Sequence, residues 1–141
     1  MRTLYPLLIC CVFYLNAQAQ SEVNNIEAIK IVCNYYIDGG TNGDSLLFSK
    51  AFYPEGQMMF MRNDTVQVVS LKDFTARVKN TGKKQERKTS IESVDIYGNA
   101  AVAKITIEYP SFVLHDIMSL LKTDNGWKIV GKIFSREEIK K

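Results

Sequence analysis

The stretch from Lys104 to Phe134 limits the fold more than any other part of the chain. Phe112 to Thr123 and Trp127 to Phe134 read as two long strands joined by Asp124-Asn125-Gly126, a hairpin signal. Ahead of them, Ala101, Ala103, Ile105, Ile107 and Tyr109 fall on one face of a strand, and Lys104, Thr106 and Glu108 on the other. Thr89 to Tyr97 precedes that strand and turns into it at Gly98-Asn99. Four consecutive antiparallel strands with one apolar face need a cover, and the N-terminal half is the part left to supply it.

That half reads as helical. Ile26, Ile29, Cys33, Tyr36 and Ile37 recur at steps of three and four residues, one stripe of a helix over Ser21 to Asp38. Asn24 with Glu27 fits a capping box, and Ser21 is an equally good start. Gly39 and Gly40 are expected to end this helix. Asp44 caps a second one, which Pro54 closes. Gln57 to Met61 and Thr65 to Val69 form a short hairpin about Asn63-Asp64, and Ser70 with Asp73 opens a third helix. The run from Lys83 to Lys88 has four basic residues in six and reads as a solvated loop, with a polyanion or headgroup contact as the alternative. The expected class is α+β: three N-terminal helices packed on one face of a curved, mostly antiparallel sheet.

Helices can cover only one face of such a sheet. The other is expected to expose Leu114, Met118 and Leu120 beside Val130 and Phe134, a patch suited to a sheet-to-sheet homodimer. Which residues face which way depends on the hairpin. A type I turn with Gly126 in the left-handed position sets Leu121 opposite Ile129 and Ile117 opposite Ile133. That register turns His115 toward the helices and Asp116 away, and leaves Lys128 and Lys132 off the face of Trp127, Ile129 and Ile133; a two-residue Asn125-Gly126 turn would reverse it and put Lys122 inside, where an unpaired ammonium is costly.

Arg2, the apolar run Leu4 to Leu15 and Asn16-Ala17-Gln18-Ala19 form an export-signal pattern, with cleavage expected after Ala19. The run is too short to span a bilayer comfortably, and no later one approaches about 18 residues, so no transmembrane anchor is expected. Residues 20–141 then make a single domain. Of the 18 basic residues only Arg2 leaves with the signal, and 15 acidic residues nearly balance the rest, so charge gives no case for nucleic acid. Cys10 and Cys11 leave too, and Cys33 on the helix stripe reads as a buried small hydrophobe. One histidine without clustered acids offers no metal site. Phosphate loops, nucleophile elbows and dinucleotide fingerprints are missing, and no cofactor is expected.

Three segments together resemble the nuclear-transport-factor-2-like superfamily, in its lumazine-binding, SnoaL-like branch. They are Tyr36-Ile37-Asp38-Gly39-Gly40 with Gly43-Asp44; Ala51-Phe52-Tyr53-Pro54-Glu55; and Asp116 to Lys122 with Gly126 to Val130 and Lys132. The resemblance runs from about Val23 to Phe134. It implies a cone-shaped fold, often dimeric, with an apolar cavity between helices and sheet. Tyr36, Met58, Phe60, Tyr109 and His115 are the candidate lining, and a small aromatic or apolar molecule is the candidate ligand. In the superfamily's ketosteroid isomerases a Tyr of the first helix donates to an oxyanion and a strand Asp moves the proton. Those positions fall on Tyr36 and near Phe60, and Phe60 cannot accept a proton. The catalytic alternative is therefore a dehydratase or isomerase using His115 as base and Tyr36 as donor; a non-catalytic homodimeric interaction domain is the third reading.

Overall fold

The computed structural model describes the backbone of residues 6–81 and 83–140, and side chains from residue 22 onward. Side chains of the expected export segment, Cys10 and Cys11 among them, lie outside the described residues, as does Gly82. The chain runs α1 (Pro6–Asn42), α2 (Ser45–Lys50), β1 (Phe52–Arg62), β2 (Thr65–Ser70), α3 (Leu71–Ala76), β3 (Lys88–Tyr97), β4 (Ala100–Glu108), β5 (Phe112–Thr123) and β6 (Gly126–Glu138).

Local signals set most of these boundaries. Asp44 caps α2, its Oδ1 accepting from Leu47 N at 2.9 Å. Ser70 caps α3 in the same way, with Asp73 N donating to its Oγ at 3.0 Å. Asn63 and Asp64 both have positive φ, 49° and 58°, as the tight turn between β1 and β2 requires. The end of α1 is a correction. The helix passes through Gly39 and Gly40 and stops at Asn42, where Gly43 takes φ 61°. Gly39 and Gly40 are there for close approach: a Cβ on Gly39 would lie 2.4 Å from Phe48 N, and one on Gly40 would lie 2.6 Å from Arg87 Nη2.

The expected architecture is corrected in three respects. Only α1 and α2 precede the sheet, and α3 is inserted between β2 and β3. The six strands lie in the order β2-β1-β6-β5-β4-β3, an open sheet with β2 and β3 at its ends rather than a curved wall closing into a cone. The sheet is mixed, because β1 runs parallel to β6. One residue separates α2 from β1, and Ile129 N donates to the Ala51 carbonyl at 2.9 Å, so the chain enters β1 already beside β6. Pro54 does not end an element; it sits in β1 where the pairing with β6 is interrupted between Phe52 and Gln57, a place that needs no ladder donor.

The core lies between α1 and the sheet. Ile29, Val32, Cys33 and Ile37 pack with Ala101, Ala103, Ile105 and Ile107 of β4, Met118 and Leu120 of β5, and Trp127 and Ile129 of β6. Full burial of each large aliphatic side chain stabilises the fold by roughly 1.5–3 kcal/mol. Cys33 is fully buried within this layer, and burial pushes its thiol up to about 12.

The hairpin of β5 and β6 corrects the expected facing of side chains. Gly126 has φ 86°, and Ile117 does pair with Ile133, but at the turn end Leu121 pairs with Lys128 and Leu120 with Ile129. The register shifts between Ser119 and Leu120, leaving Val130 as an extra residue, a β-bulge. Trp127 and Ile129 point inward on one side of the bulge, and Lys132 and Phe134 on the other. Asp116, Met118 and Leu120 therefore face the helices, whereas His115, Ile117 and Leu121 face away. Met118 and Leu120 are core residues, not part of an exposed patch. Exposed apolar side chains of the outer face include Met59, Met61, Val66, Val68, Ile117, Leu121 and Ile133.

Candidate functional site

A cavity of about 520 Å³ opens between the C-terminal end of α1 and the inner face of the sheet. Its size is in the range of small-molecule sites. The walls come from separate parts of the chain: Tyr36 from α1, Phe48 from α2, Met58 and Phe60 from β1, Phe74 from α3, and Leu114 and Phe134 from the hairpin. Much of the wall is a connected aromatic cluster. Tyr36, Phe48, Phe52 and Phe74 meet at centroid distances of 5.2 Å (Phe48 to Phe52) to 5.7 Å (Tyr36 to Phe52). Phe60 stacks on Phe134 at 4.9 Å. Tilted and edge contacts of this kind add about 0.5–1.5 kcal/mol each to the burial of the rings.

The inner end of the cavity is polar. Tyr36 Oη donates to Asp116 Oδ2 at 2.5 Å, and both residues are buried. Lys132 Nζ is in ion-pair contact with Asp116 Oδ1, and neither of these two atoms has another partner among the described residues. The ammonium also sits over two rings, 4.8 Å from the Phe134 centroid and 5.3 Å from that of Tyr36. Burial lowers the Lys132 pKa, and the Asp116 carboxylate opposes that shift. Burial raises the Tyr36 pKa well above its ordinary value, and the charge of Asp116 and the hydrogen bond to it raise it further. At neutral pH Tyr36 is thus a donor and not a base. Tyr36 and Lys132 give the apolar inner part of the chamber a preset polar end, and Asp116 is fully buried behind them, held between a neutral donor and a cation.

Of the residues expected at the site, Tyr36, Met58, Phe60 and Tyr109 line this cavity. His115 does not, and its inward placement is corrected. Its ring is on the outer face, half-exposed, with Nε2 3.5 Å from Glu137 Oε2. The turn end is the reason: Leu120 rather than Leu121 pairs with Ile129, so Leu120, Met118 and Asp116 face inward and His115 outward. Asp116 and Lys132 were not legible as site residues. Gly131 was the available signal, because a glycine inside a strand pattern often marks a bulge. Phe74 reads from the sequence as an inward position of the third helix, whereas Phe48 was missed: it is the buried residue of α2, and Leu46 is exposed.

Arg87 is the other residue that sequence reasoning missed. It leaves the basic run and folds back over the end of α1, where its Nε donates to Thr41 Oγ1 at 2.8 Å. Nη2 donates to the Ile37 carbonyl at 2.8 Å and Nη1 to Tyr109 Oη at 2.7 Å. Tyr109 in turn is 3.3 Å from Gln85 Oε1. Among the described residues no group of three or more His, Cys, Asp or Glu side chains is placed to hold a metal ion, and no helix is long and apolar enough to cross a membrane.

Residues 24–135 match the model of the family described as "Putative lumazine-binding". Solved structures agree on the fold. An NTF2-like protein of unknown function from Shewanella baltica is 27% identical over 82% of this chain and 95% of its own, with a TM-score of 0.73. Another from Methylobacillus flagellatus is 27% identical over 82% of this chain and 94% of its own, with a TM-score of 0.71. A third, from Silicibacter pomeroyi, is 18% identical, covers 82% and 98%, and has a TM-score of 0.72. No curated protein matches the chain.

Proposed function

The chain belongs to this lumazine-binding-type family of the NTF2-like fold, and from that premise we propose that it is an exported binding domain whose cavity takes a small, mostly apolar or aromatic ligand. The observation that carries the reading is the chamber itself: about 520 Å³, walled by Phe48, Phe60, Phe74 and Phe134, with the Tyr36–Asp116–Lys132 cluster at its inner end. Apolar walls with a few fixed polar groups are how small-ligand sites combine affinity with orientation. Export is supported by the N-terminal pattern of Arg2, Leu4 to Leu15 and Ala17-Gln18-Ala19. A thermal-shift panel of aromatic heterocycles, pteridines and flavins included, tests the binding. A ligand at a hundred times its Kd raises the melting temperature by roughly 5 °C or more, by mass action. Leu114→Trp, which fills the chamber, removes the shift. A flat response across a chemically broad panel removes the proposal.

The catalytic alternative loses the pairing it was built on, because His115 and Tyr36 lie on opposite faces of the sheet. Proton transfer within the chamber would fall to Tyr36, Asp116 and Lys132.

Homodimerisation through the outer sheet face has a specific observation in its favour. Met59, Met61, Val66, Val68, Ile117 and Ile133 form an exposed apolar row across four adjacent strands. Patches of this kind mark association surfaces on soluble domains, and a second copy of the same face is the simplest complement. Ile133→Glu is expected to convert the dimer to a monomer in sedimentation at micromolar concentration while leaving its melting temperature near that of a parent monomer. A parent chain that sediments as a monomer at every concentration would discard the dimer.

A further inference from the structure

The rim of the chamber differs from its walls. Arg77, Lys79, Lys83 and Arg87 all line it, and none of its described lining residues is acidic. None of these four cations forms an ion pair among the described residues, whereas the fifth lining cation, Lys132, is matched by Asp116. Arg87 is the most telling. Its guanidinium is half-buried and held in place, and every hydrogen bond it makes goes to a neutral oxygen. Three of its five N–H groups are used in that way, which leaves two for another acceptor. Gly40 makes room for it, since a Cβ there would lie 2.6 Å from Nη2. A fixed, partly desolvated cation without a counter-charge is costly to keep unless something else supplies the anion.

From this juxtaposition, an aromatic chamber under a rim of unneutralised cations, we infer that the ligand is an amphipathic organic anion. Its ring or chain occupies the space between Phe48, Phe74 and Phe134, and its single acidic group sits at the rim against Arg87, with Lys79 and Lys83 adding to the field. The inference rests on the binding reading above and narrows it to a chemical class. It favours a small ligand over an extended polyanion because the charges surround a concave mouth whose interior is apolar. Lys132 takes no part in the charge selection, being neutralised from within.

Two dyes with the same anilino-naphthalene body separate the class from the cavity. One is 1-anilinonaphthalene-8-sulfonate, and the other is its uncharged counterpart N-phenyl-1-naphthylamine. In fluorescence titrations of the full chain, the sulfonate is expected to bind about tenfold more tightly at low salt, with the gap closing as salt screens the rim. Arg87→Gln narrows the gap without weakening the neutral dye. Because Arg87 also ties down the end of α1, the exposed pair Lys79→Gln/Lys83→Gln repeats the test without touching a structural contact. Leu114→Trp abolishes both dyes. Equal, salt-independent affinities that are both lost in Leu114→Trp overturn the anion inference and leave the cavity reading standing. Failure of both dyes to bind, or binding that survives Leu114→Trp, overturns the cavity reading and this inference with it.

Discussion

Asp116→Ala is expected to lower the unfolding free energy by about 3–5 kcal/mol, the cost of leaving one charge of a buried pair uncompensated. The side chains of Asp116 and Lys132 are 0% and 3% exposed, so water cannot take over from the lost carboxylate. Two aromatic rings are the other neighbours of the ammonium, and they replace a carboxylate only in part. Tyr36 loses its acceptor in the same step. Asp116→Leu/Lys132→Met/Tyr36→Phe, which removes every polar member at once, is expected to recover to within roughly 1–2 kcal/mol of the parent, because it leaves no charge or hydroxyl stranded. Urea unfolding of the single and combined variants measures the coupling; additive losses would mean that the three side chains do not act as a unit. The pH dependence has a definite sign. Burial holds the folded pKa of Lys132 below 10.5, so between the two values the unfolded chain binds more protons. Stability from this group rises with pH through that window and is lost as pH falls through the folded value. Asp116→Ala removes the carboxylate that resists the lowering, which widens the window downward. The variant should regain part of its deficit as pH rises toward 10, above which the raised pKa of Tyr36 favours unfolding.

The same ion pair explains where local reasoning about this chain stops. The register that turns Lys132 outward follows from the cost of burying Lys122 as an unpaired ammonium, and that cost is real. In the structure Lys122 is exposed, and Lys132 is the buried lysine because Asp116 pairs with it from the neighbouring strand. A residue's partner across a hairpin is a property of register, and one bulged residue at Val130 changes the register for everything beyond it. Short-range patterns came through well for the same reason in reverse. The α1 stripe of Ile29, Cys33, Tyr36 and Ile37 and the alternation of Ala101, Ala103, Ile105 and Ile107 depend only on helix and strand periods, and all of these residues are buried. The caps at Asp44 and Ser70 and the positive φ of Gly126 depend on a few adjacent residues. The parallel pairing of β1 with β6 joins segments about 75 residues apart, and no local rule chooses that edge. Cavity residues follow the same division. Tyr36, Met58 and Phe60 lie on elements whose inward face is set locally and Tyr109 directly follows β4, whereas Asp116, Lys132 and Arg87 acquire their roles from tertiary contacts.

Gly39→Ala is the second substitution with a large expected effect, and its sign opposes the helix-propensity rule. Inside a helix, alanine in place of glycine ordinarily stabilises by about 1 kcal/mol. Here the new methyl would lie 2.4 Å from Phe48 N, 2.6 Å from its Cα and 2.8 Å from its Cβ. Two of these are backbone atoms, so no side-chain rotation relieves the clash and α2 must move as a unit. Only Gly43 and Asp44 join α1 to α2, and Asp44 N donates to the Gly39 carbonyl itself at 2.9 Å. A shift of α2 also pulls Phe48 away from Tyr36, Phe52 and Phe74, which it meets at 5.2 to 5.4 Å. Overpacking of this kind costs about 1–3 kcal/mol and occasionally more, and the connection here leaves little room to yield. A net loss of roughly 2 kcal/mol is the expected result in urea unfolding. Gly98→Ala is the contrast: its φ is 65° and nothing lies within 4 Å of the added methyl, so only the backbone penalty of about 1–2 kcal/mol applies. That penalty should leave the cavity untouched, whereas Gly39→Ala should also weaken ligand binding, because Phe48 is part of the wall. A Gly39→Ala chain as stable as the parent would mean that α2 yields to the added methyl, and would detach α2 from the geometry of the site.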